Sequence, residues 1–316
     1  MIIKKFFCSN NPHFFIFLKV IIFSLIFFFI NIQSQSQLEK AIDDIISSSI
    51  LIESEFGKGS GFILINESSN IYLITASHVL FDRIIIDSTP TIIHPNKLDI
   101  YHYPREPHKI QPYRINVDFD GVFRSNLIIF DFSSDIAIIH IGKEVLSNNQ
   151  TFILYNKFTK KLDSISSRVV LWPQSALIHY EDVIVGSDIY INSYASSLSD
   201  EYYKQYNFSR PLIRKGIVAG KQQEDKSLIL DCFVFPGMSG APVIQYRPHS
   251  DVITYPSPSF EYYISGIIIE FIPYTLRWEN KQYKMTNSEI QNSGFSKCIS
   301  VDPILELITL YEKFHQ

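Results

Sequence analysis

Apolar and polar residues follow one another along this chain in short runs, not at helical spacing. Residues 50–52, 61–66, 70–75, 126–130 and 135–141 are brief stretches rich in β-branched and aromatic side chains. Gly, Asn, Ser and Asp bound them, which predicts strands separated by turns. A second series follows at 169–172, 188–194, 213–218, 228–234, 241–246, 262–271 and 295–301. No long helical pattern separates these runs, so βαβ units and a parallel sheet do not fit. One helix is predicted, at the C-terminus. Asp302 can cap it, Pro303 suits its first turn, and Ile304, Leu307, Ile308 and Tyr311 fall on one face. The polar stretch 147–167 reads as the connection between two β units, and irregular insertions are expected at 89–113, 195–210, 247–262 and 273–293.

The N-terminus stands apart from this pattern. Lys4 and Lys5 precede a 13-residue apolar run, Val20 to Ile32, interrupted only by Ser24 and Asn31. That length suits the core of a signal peptide and is short for a membrane span. Counted back to Phe14 across Lys19, the stretch reaches 19 residues. Ser34 and Ser36 place small residues at −3 and −1 of a cleavage before Gln37. Residues 1–36 are read as a signal peptide, with membrane anchoring through 14–32 as the alternative. Either reading makes the remainder an exported protein, secreted or periplasmic. Export turns Cys232 and Cys298 into a disulfide candidate, and two buried free thiols are the alternative. Export also gives meaning to the glycosylation sequons at Asn66, Asn149 and Asn207, if the source glycosylates exported proteins.

Composition narrows the classes further. A chain of 316 residues accommodates one large domain or two small ones, each with its own core. Its net charge of −4, from 28 basic and 32 acidic residues, lacks the basic surplus of a nucleic-acid binder. With 46% hydrophobic and 19% charged residues, the chain is not disordered. Three cysteines and no C-x-x-C exclude a disulfide scaffold or a cysteine zinc site. His94, His102 and His108 share one insertion, but their spacing fits no standard metal site. They are read as surface loop residues, and neither metal nor cofactor is expected.

Three short motifs carry chemistry. Gly59-Ser60-Gly61-Phe62 precedes Thr75-Ala76-Ser77-His78-Val79, which puts a histidine just past an apolar strand. Ser134-Asp135-Ile136-Ala137-Ile138 puts an aspartate at the mouth of another, where burial demands a hydrogen-bond partner. Phe235-Pro236-Gly237-Met238-Ser239-Gly240-Ala241-Pro242 makes a glycine-flanked turn that can aim the amides of Gly237 and Ser239 at one point. Each motif alone occurs often by chance. Their order along an all-β chain is far more specific.

On these residues the chain resembles the chymotrypsin/trypsin-like serine peptidases, in the bacterial-type branch without the vertebrate disulfides. The resemblance covers about residues 47–314. It implies two six-stranded antiparallel β-barrels with a C-terminal helix, the first over 37–150 and the second over 151–316. It also implies a serine endopeptidase acting on a peptide or protein, with His78, Asp135 and Ser239 as catalytic residues. The backbone amides of Gly237 and Ser239 would form the oxyanion hole. A non-catalytic, peptide-binding module is the alternative. By the same resemblance Ser265-Gly266-Ile267-Ile268 matches the strand that binds substrate backbone. Phe233 falls near the floor of the primary pocket, with Ile269 and Glu270 beside the substrate. Met238 stands where trypsin-type zymogens carry the aspartate that pairs with a freed N-terminus, so that activation switch is expected to be absent.

Overall fold

A computed structural model describes residues 47–86, 89–103, 112–147, 150–162, 169–198, 210–248, 260–280, 282–283 and 285–315. The expected signal peptide or anchor, the apolar run and the sequons Asn149 and Asn207 lie outside these residues. Nearly all that is described belongs to one unit, Asp44–Arg247 with Glu261–Gln316.

The first half of that unit is a curled, almost wholly antiparallel sheet. In chain order it contains β1 (Ile50–Ser54), β2 (Gly57–Ile65), β3 (Asn70–Ala76) and the one-turn helix α1 (Ser77–Leu80). The separate hairpin of β4 (Asp82–Ile86) and β5 (Thr89–Ile93) follows. Next come β6 (Lys97–His102), β7 (Tyr113–Asp118), helix α2 (Phe119–Arg124), β8 (Ile128–Asp131) and β9 (Ile136–Ser147). The half closes with β10 (Gln150–Tyr155), β11 (Thr159–Lys161) and β12 (Trp172–Pro173). The spatial order is β10-β9-β3-β2-β1-β6-β7-β11, with β8 also on β9 and β12 parallel to β2. Residues from distant strands of this order share one core, such as Ile100 and Ile115 with Ile139 and Ile141. The sheet therefore wraps around its own interior.

The second half is a closed six-stranded barrel. Its strands are β13 (Asp188–Ser193), β14 (Leu212–Gln222), β15 (Ser227–Asp231), β16 (Pro242–Pro248), β17 (Phe260–Asn280) and β18 (Met285–Ser300). They run β13-β14-β15-β18-β17-β16 around the barrel, and β16 closes back onto β13. Helix α3 (Asp302–His315) ends the chain.

The strongest apolar runs in the sequence have a physical cause. Strand β3 sends Ile71 and Leu73 into the interior of the first sheet, while Tyr72, Ile74 and Ala76 face the second barrel and α3. Strand β9 divides in the same way, with Ala137, Ile139 and Ile141 inward and Ile136 and Ile138 outward. Both faces are buried, so the usual apolar–polar alternation gives way to a continuous apolar run. The outward set packs with Ile264, Ile267, Ile269 and Val301 and with Ile304, Leu307, Ile308 and Tyr311 of α3. This shared cluster joins the two halves.

Several expectations are corrected. The first body has more than six strands, because β10 pairs with β9 and β11 with β7. Within the 147–167 stretch, Gln150–Tyr155 and Thr159–Lys161 thus belong to the first sheet, and the boundary moves from residue 150 to the span between Pro173 and Asp188. The insertion 89–113 contains β5 and β6, and 273–293 is a two-stranded ribbon extending β17 and β18. His102 is not a surface residue; it is fully buried on β6, with Nε2 2.7 Å from the Ser47 carbonyl. His94 packs against Phe119 and Phe123, and His108 lies outside the described residues. Cys232 and Cys298 are free, buried thiols, so of the two readings the unbonded one holds. Asp302 does not spend its carboxylate on its own helix. It accepts from the Tyr180 amide at 2.9 Å and lies 2.7 Å from His179 Nδ1, tying α3 to the inter-barrel connection. Asn66 is nearly buried and donates to Glu312 of α3, so a glycan there would displace the helix.

The shared cluster predicts an asymmetry along α3. Ile304→Ala, at a fully buried site, is expected to destabilise the protein by about 2–5 kcal/mol. Leu310→Ala, on the exposed face, should cost no more than about 0.5 kcal/mol. Urea unfolding of both variants checks this.

Candidate active site

The three motifs of the sequence come together where the halves meet. Strand β3 ends at Ala76, and the single turn of α1 carries His78 out of the sheet. The turn is held from below by the Ser77 amide, which donates to the Asp135 carbonyl at 2.9 Å. Asp135 comes from the tight β8–β9 connection. There the carboxylate of Asp131 accepts from the amides and hydroxyls of Ser133 and Ser134. Burial pushes the Asp131 carboxyl up, but those four donors outweigh it and bring it down to about 2. Asp131 thus stays charged and keeps the turn closed. Asp135 follows with φ of 55°, in the left-handed region. Aspartate is among the few residues that tolerate that conformation, and such strain concentrates at functional sites.

The Asp135 carboxylate faces His78 squarely. Its Oδ2 lies 2.5 Å from His78 Nδ1, while Oδ1 accepts from the Ser77 hydroxyl at 2.5 Å and the His78 amide at 3.0 Å. Burial raises the carboxyl, yet the hydrogen bond and charge of His78, with the two further donors, hold it below its ordinary value. An ionised Asp135 fixes the tautomer in which Nδ1 carries the proton. Nε2 is left as the basic nitrogen. The imidazole itself is half-exposed and open to a substrate.

The third residue enters from the second barrel. Ser239 sits in the turn that precedes β16. The Met238 amide donates to the Phe235 carbonyl at 3.0 Å, and the Ala241 amide to that of Met238 at 3.0 Å. Gly237 and Gly240 have φ of 95° and 84°. A side chain at Gly237 would strike the Tyr194 carbonyl, and one at Gly240 the Ser60 carbonyl, so glycine is required at both. Among the described residues neither the Gly237 nor the Ser239 amide donates a hydrogen bond, which leaves both free for an oxyanion. Met238 is fully buried in the second core and accepts from the Phe235 amide at its sulfur. It fills with a thioether the place where a charged switch residue would need a partner.

A cleft of about 370 Å³ contains His78, Asp135 and Ser239 together with Val234, Phe235, Pro236 and residues 268–271 of β17. The Ser239 hydroxyl donates to the Ile269 carbonyl at 3.0 Å. Among the described residues no hydrogen bond joins it to His78. Ile269 and Glu270 line the cleft. Phe233 does not: the extended segment alternates, so Cys232 and Val234 are buried while Phe233 turns outward, 42% exposed, beside Gly294. Ser265 and Gly266 also lie elsewhere, Ser265 bonding the Val243 carbonyl and Gly266 packing against Ile299. The cleft-lining stretch is 268–271, beside a bulge in the β17–β18 pairing between Ile268 and Glu270. Sequence reasoning gave Ser60 and Ser77 no role of their own. Ser77 was legible only as the small residue before His78.

No protein-family model matches the chain, and no curated protein does. Solved structures similar to it are distant. The HtrA-type protease AlgW with a tripeptide is 11% identical at a TM-score of 0.47, over 88% of this chain and 64% of that one. The chain therefore spans less than two thirds of that protein. Rv3671c from M. tuberculosis H37Rv, in an inactive form, is 12% identical at a TM-score of 0.40, over 86% of this chain and 89% of that one. Human heparin binding protein is 11% identical at a TM-score of 0.43, over 84% and 92%.

The depressed Asp135 carboxyl predicts a pH dependence. A carboxyl held below its usual 3.8 stabilises the fold above that value and loses its contribution as pH falls through the folded-state value. The stability gap between wild type and Asp135→Asn should therefore narrow from about pH 5 to about pH 2. Urea titrations across that range measure it, and a gap that stays constant or widens contradicts the assignment.

The strand order, the closed second barrel and the junction that gathers these side chains are those of the chymotrypsin-like double-barrel fold, which this chain takes.

Proposed function

We propose that the protein is a serine endopeptidase working through His78, Asp135 and Ser239. The observation that carries this reading is the His78–Asp135 pair opening onto the same cleft as Ser239. Ser239 Oγ attacks the peptide carbonyl, and His78 Nε2 takes its proton. The amides of Gly237 and Ser239 hold the oxyanion. His78 then protonates the leaving amine, and water releases the acyl group by the reverse steps. Asp135 stays ionised throughout and stabilises the imidazolium. Binding must first redirect Ser239. An extended substrate backbone laid along 268–271 would donate to the Ile269 carbonyl and free the hydroxyl to turn toward His78. Phe235, Pro236 and Phe271 give the cleft apolar walls, and Glu270 supplies a carboxylate that favours a basic side chain near the scissile bond. In this reading the N-terminal segment exports the enzyme, and its substrates are peptides or proteins outside the cytoplasm.

The hydrogen bond from Ser239 to Ile269 favours a second reading, a peptide-binding module that does not hydrolyse. A peptide library separates the two. On the first reading wild type cleaves, and Ser239→Ala lowers kcat by about 10⁴-fold or more with the fold intact. Binding without turnover in wild type supports the second.

The buried Met238 leads to a further expectation. No freed N-terminus can pair with a thioether, so the chain from Gln37 should turn over peptides even with an uncleavable N-terminal extension. Activity that emerges only after N-terminal trimming contradicts this.

A further inference from the structure

We propose that Ser60 is the positioning residue of the oxyanion turn, a role that rests on the peptidase reading above. Ser60 lies on β2 in the first sheet and is fully buried. Its amide donates to the Ser239 carbonyl at 2.8 Å. Its hydroxyl donates to the Gly237 carbonyl at 2.8 Å and accepts from the Tyr194 amide at 3.0 Å. Its carbonyl accepts from the Thr75 hydroxyl at 2.7 Å. Three of these four bonds cross from the first sheet to the second barrel.

The two carbonyls that Ser60 holds belong to the two residues whose amides form the oxyanion hole. At Gly237 this matters most. Glycine at φ of 95° rotates more freely than any other residue, and a swing about it would re-aim its amide. The Ser60 hydroxyl pins the next peptide plane, and the Ser197 amide, donating to the Pro236 carbonyl at 3.3 Å, holds the plane of the Gly237 amide itself, so the two bonds together restrict that freedom. The same oxygen holds the Tyr194 amide, while the Tyr194 carbonyl packs against the Gly237 α-carbon. The turn is thus gripped from two sides by a side chain of the other half. Ser60→Ala would leave a buried carbonyl and a buried amide without partners, and the turn would relax to satisfy them. The hole is then set in place only when the two halves are docked.

The test compares wild type, Ser60→Ala and Thr75→Val. The last keeps side-chain shape and removes only the bond that holds Ser60 from behind. Active sites are titrated, and kcat, KM, inhibition by a peptide boronate and amide hydrogen exchange across residues 235–241 are measured. Ser60→Ala is expected to lower kcat per titrated site about tenfold or more, below the loss for deleting an oxyanion donor, with KM changed by less than about twofold. Boronate affinity should fall in proportion to kcat, and exchange at 235–241 should quicken while the barrel strands stay protected. Thr75→Val should shift all three the same way, more weakly. If Ser60→Ala fails to fold, Thr75→Val decides. Unchanged kcat per site with unchanged exchange, however few sites titrate, overturns the proposal and leaves Ser60 a packing residue. A wild-type chain without turnover, in which Ser60→Ala still loosens 235–241, overturns the peptidase reading while the anchoring stands.

Discussion

One backbone hydrogen bond fixes how the two halves of this protein register: the Ser60 amide on the carbonyl of Ser239. His78 and Asp135 belong to the first sheet and Ser239 to the second barrel, so no element holds the three together by itself. Their geometry is the geometry of the junction. The apolar cluster of β2, β3, β9, β17 and α3 supplies most of the free energy that joins the halves, since it excludes water over a wide face. Apolar contact is not directional, however, and tolerates small slides. A misplacement of about 1 Å can cost roughly a hundredfold in rate. The polar bonds from Ser60 to Gly237, Ser239 and Tyr194 cross between the halves and remove the slide.

The site divides its tasks between strain and support. Asp135 holds an uncommon backbone conformation, and the Asp131 turn, the Ser77 hydroxyl and the His78 amide over-determine it. Such support lets a buried carboxylate stay charged beside an imidazole that remains open to substrate. On the other wall two glycines hold positive φ, and Met238 fixes the turn from within the second core. The Ser239 hydroxyl has a partner of its own, the Ile269 carbonyl.

The sequence revealed what burial imposes on both faces of a strand. Strands β3 and β9 were legible because their side chains are apolar in and out, and α3 because one of its faces packs on the junction. The β17–β18 ribbon beyond Pro273 was not, since both its faces meet solvent and Thr275, Arg277 and Glu279 interrupt Tyr274, Leu276 and Trp278. Strands β10 and β11 were hidden because the whole stretch reads as polar: Ile153 and Tyr155 pack on the first core while Phe152 and Leu154 stay exposed, so only one face of β10 is buried. His78, Asp135 and Ser239 stood out because three individually common motifs occur in one order along an all-β chain. The cleft-lining register did not, because 262–271 is one largely apolar and aromatic run in which no local signal marks which residues face the cleft. Phe233 was misplaced because counting back from Ser239 ignores which way an alternating strand turns each side chain. Ser60 stood in the first motif, but its role could not be found by local pattern, since its partners lie 15 to 179 positions away.

The central claim is that Ser239 is a nucleophile activated by the His78–Asp135 pair. The most direct measurement is mass mapping of the adduct formed with a serine-directed phosphonate. The account predicts one adduct per chain, on the peptide containing Ser239. Absence of an adduct, or attachment to any other serine, would contradict it.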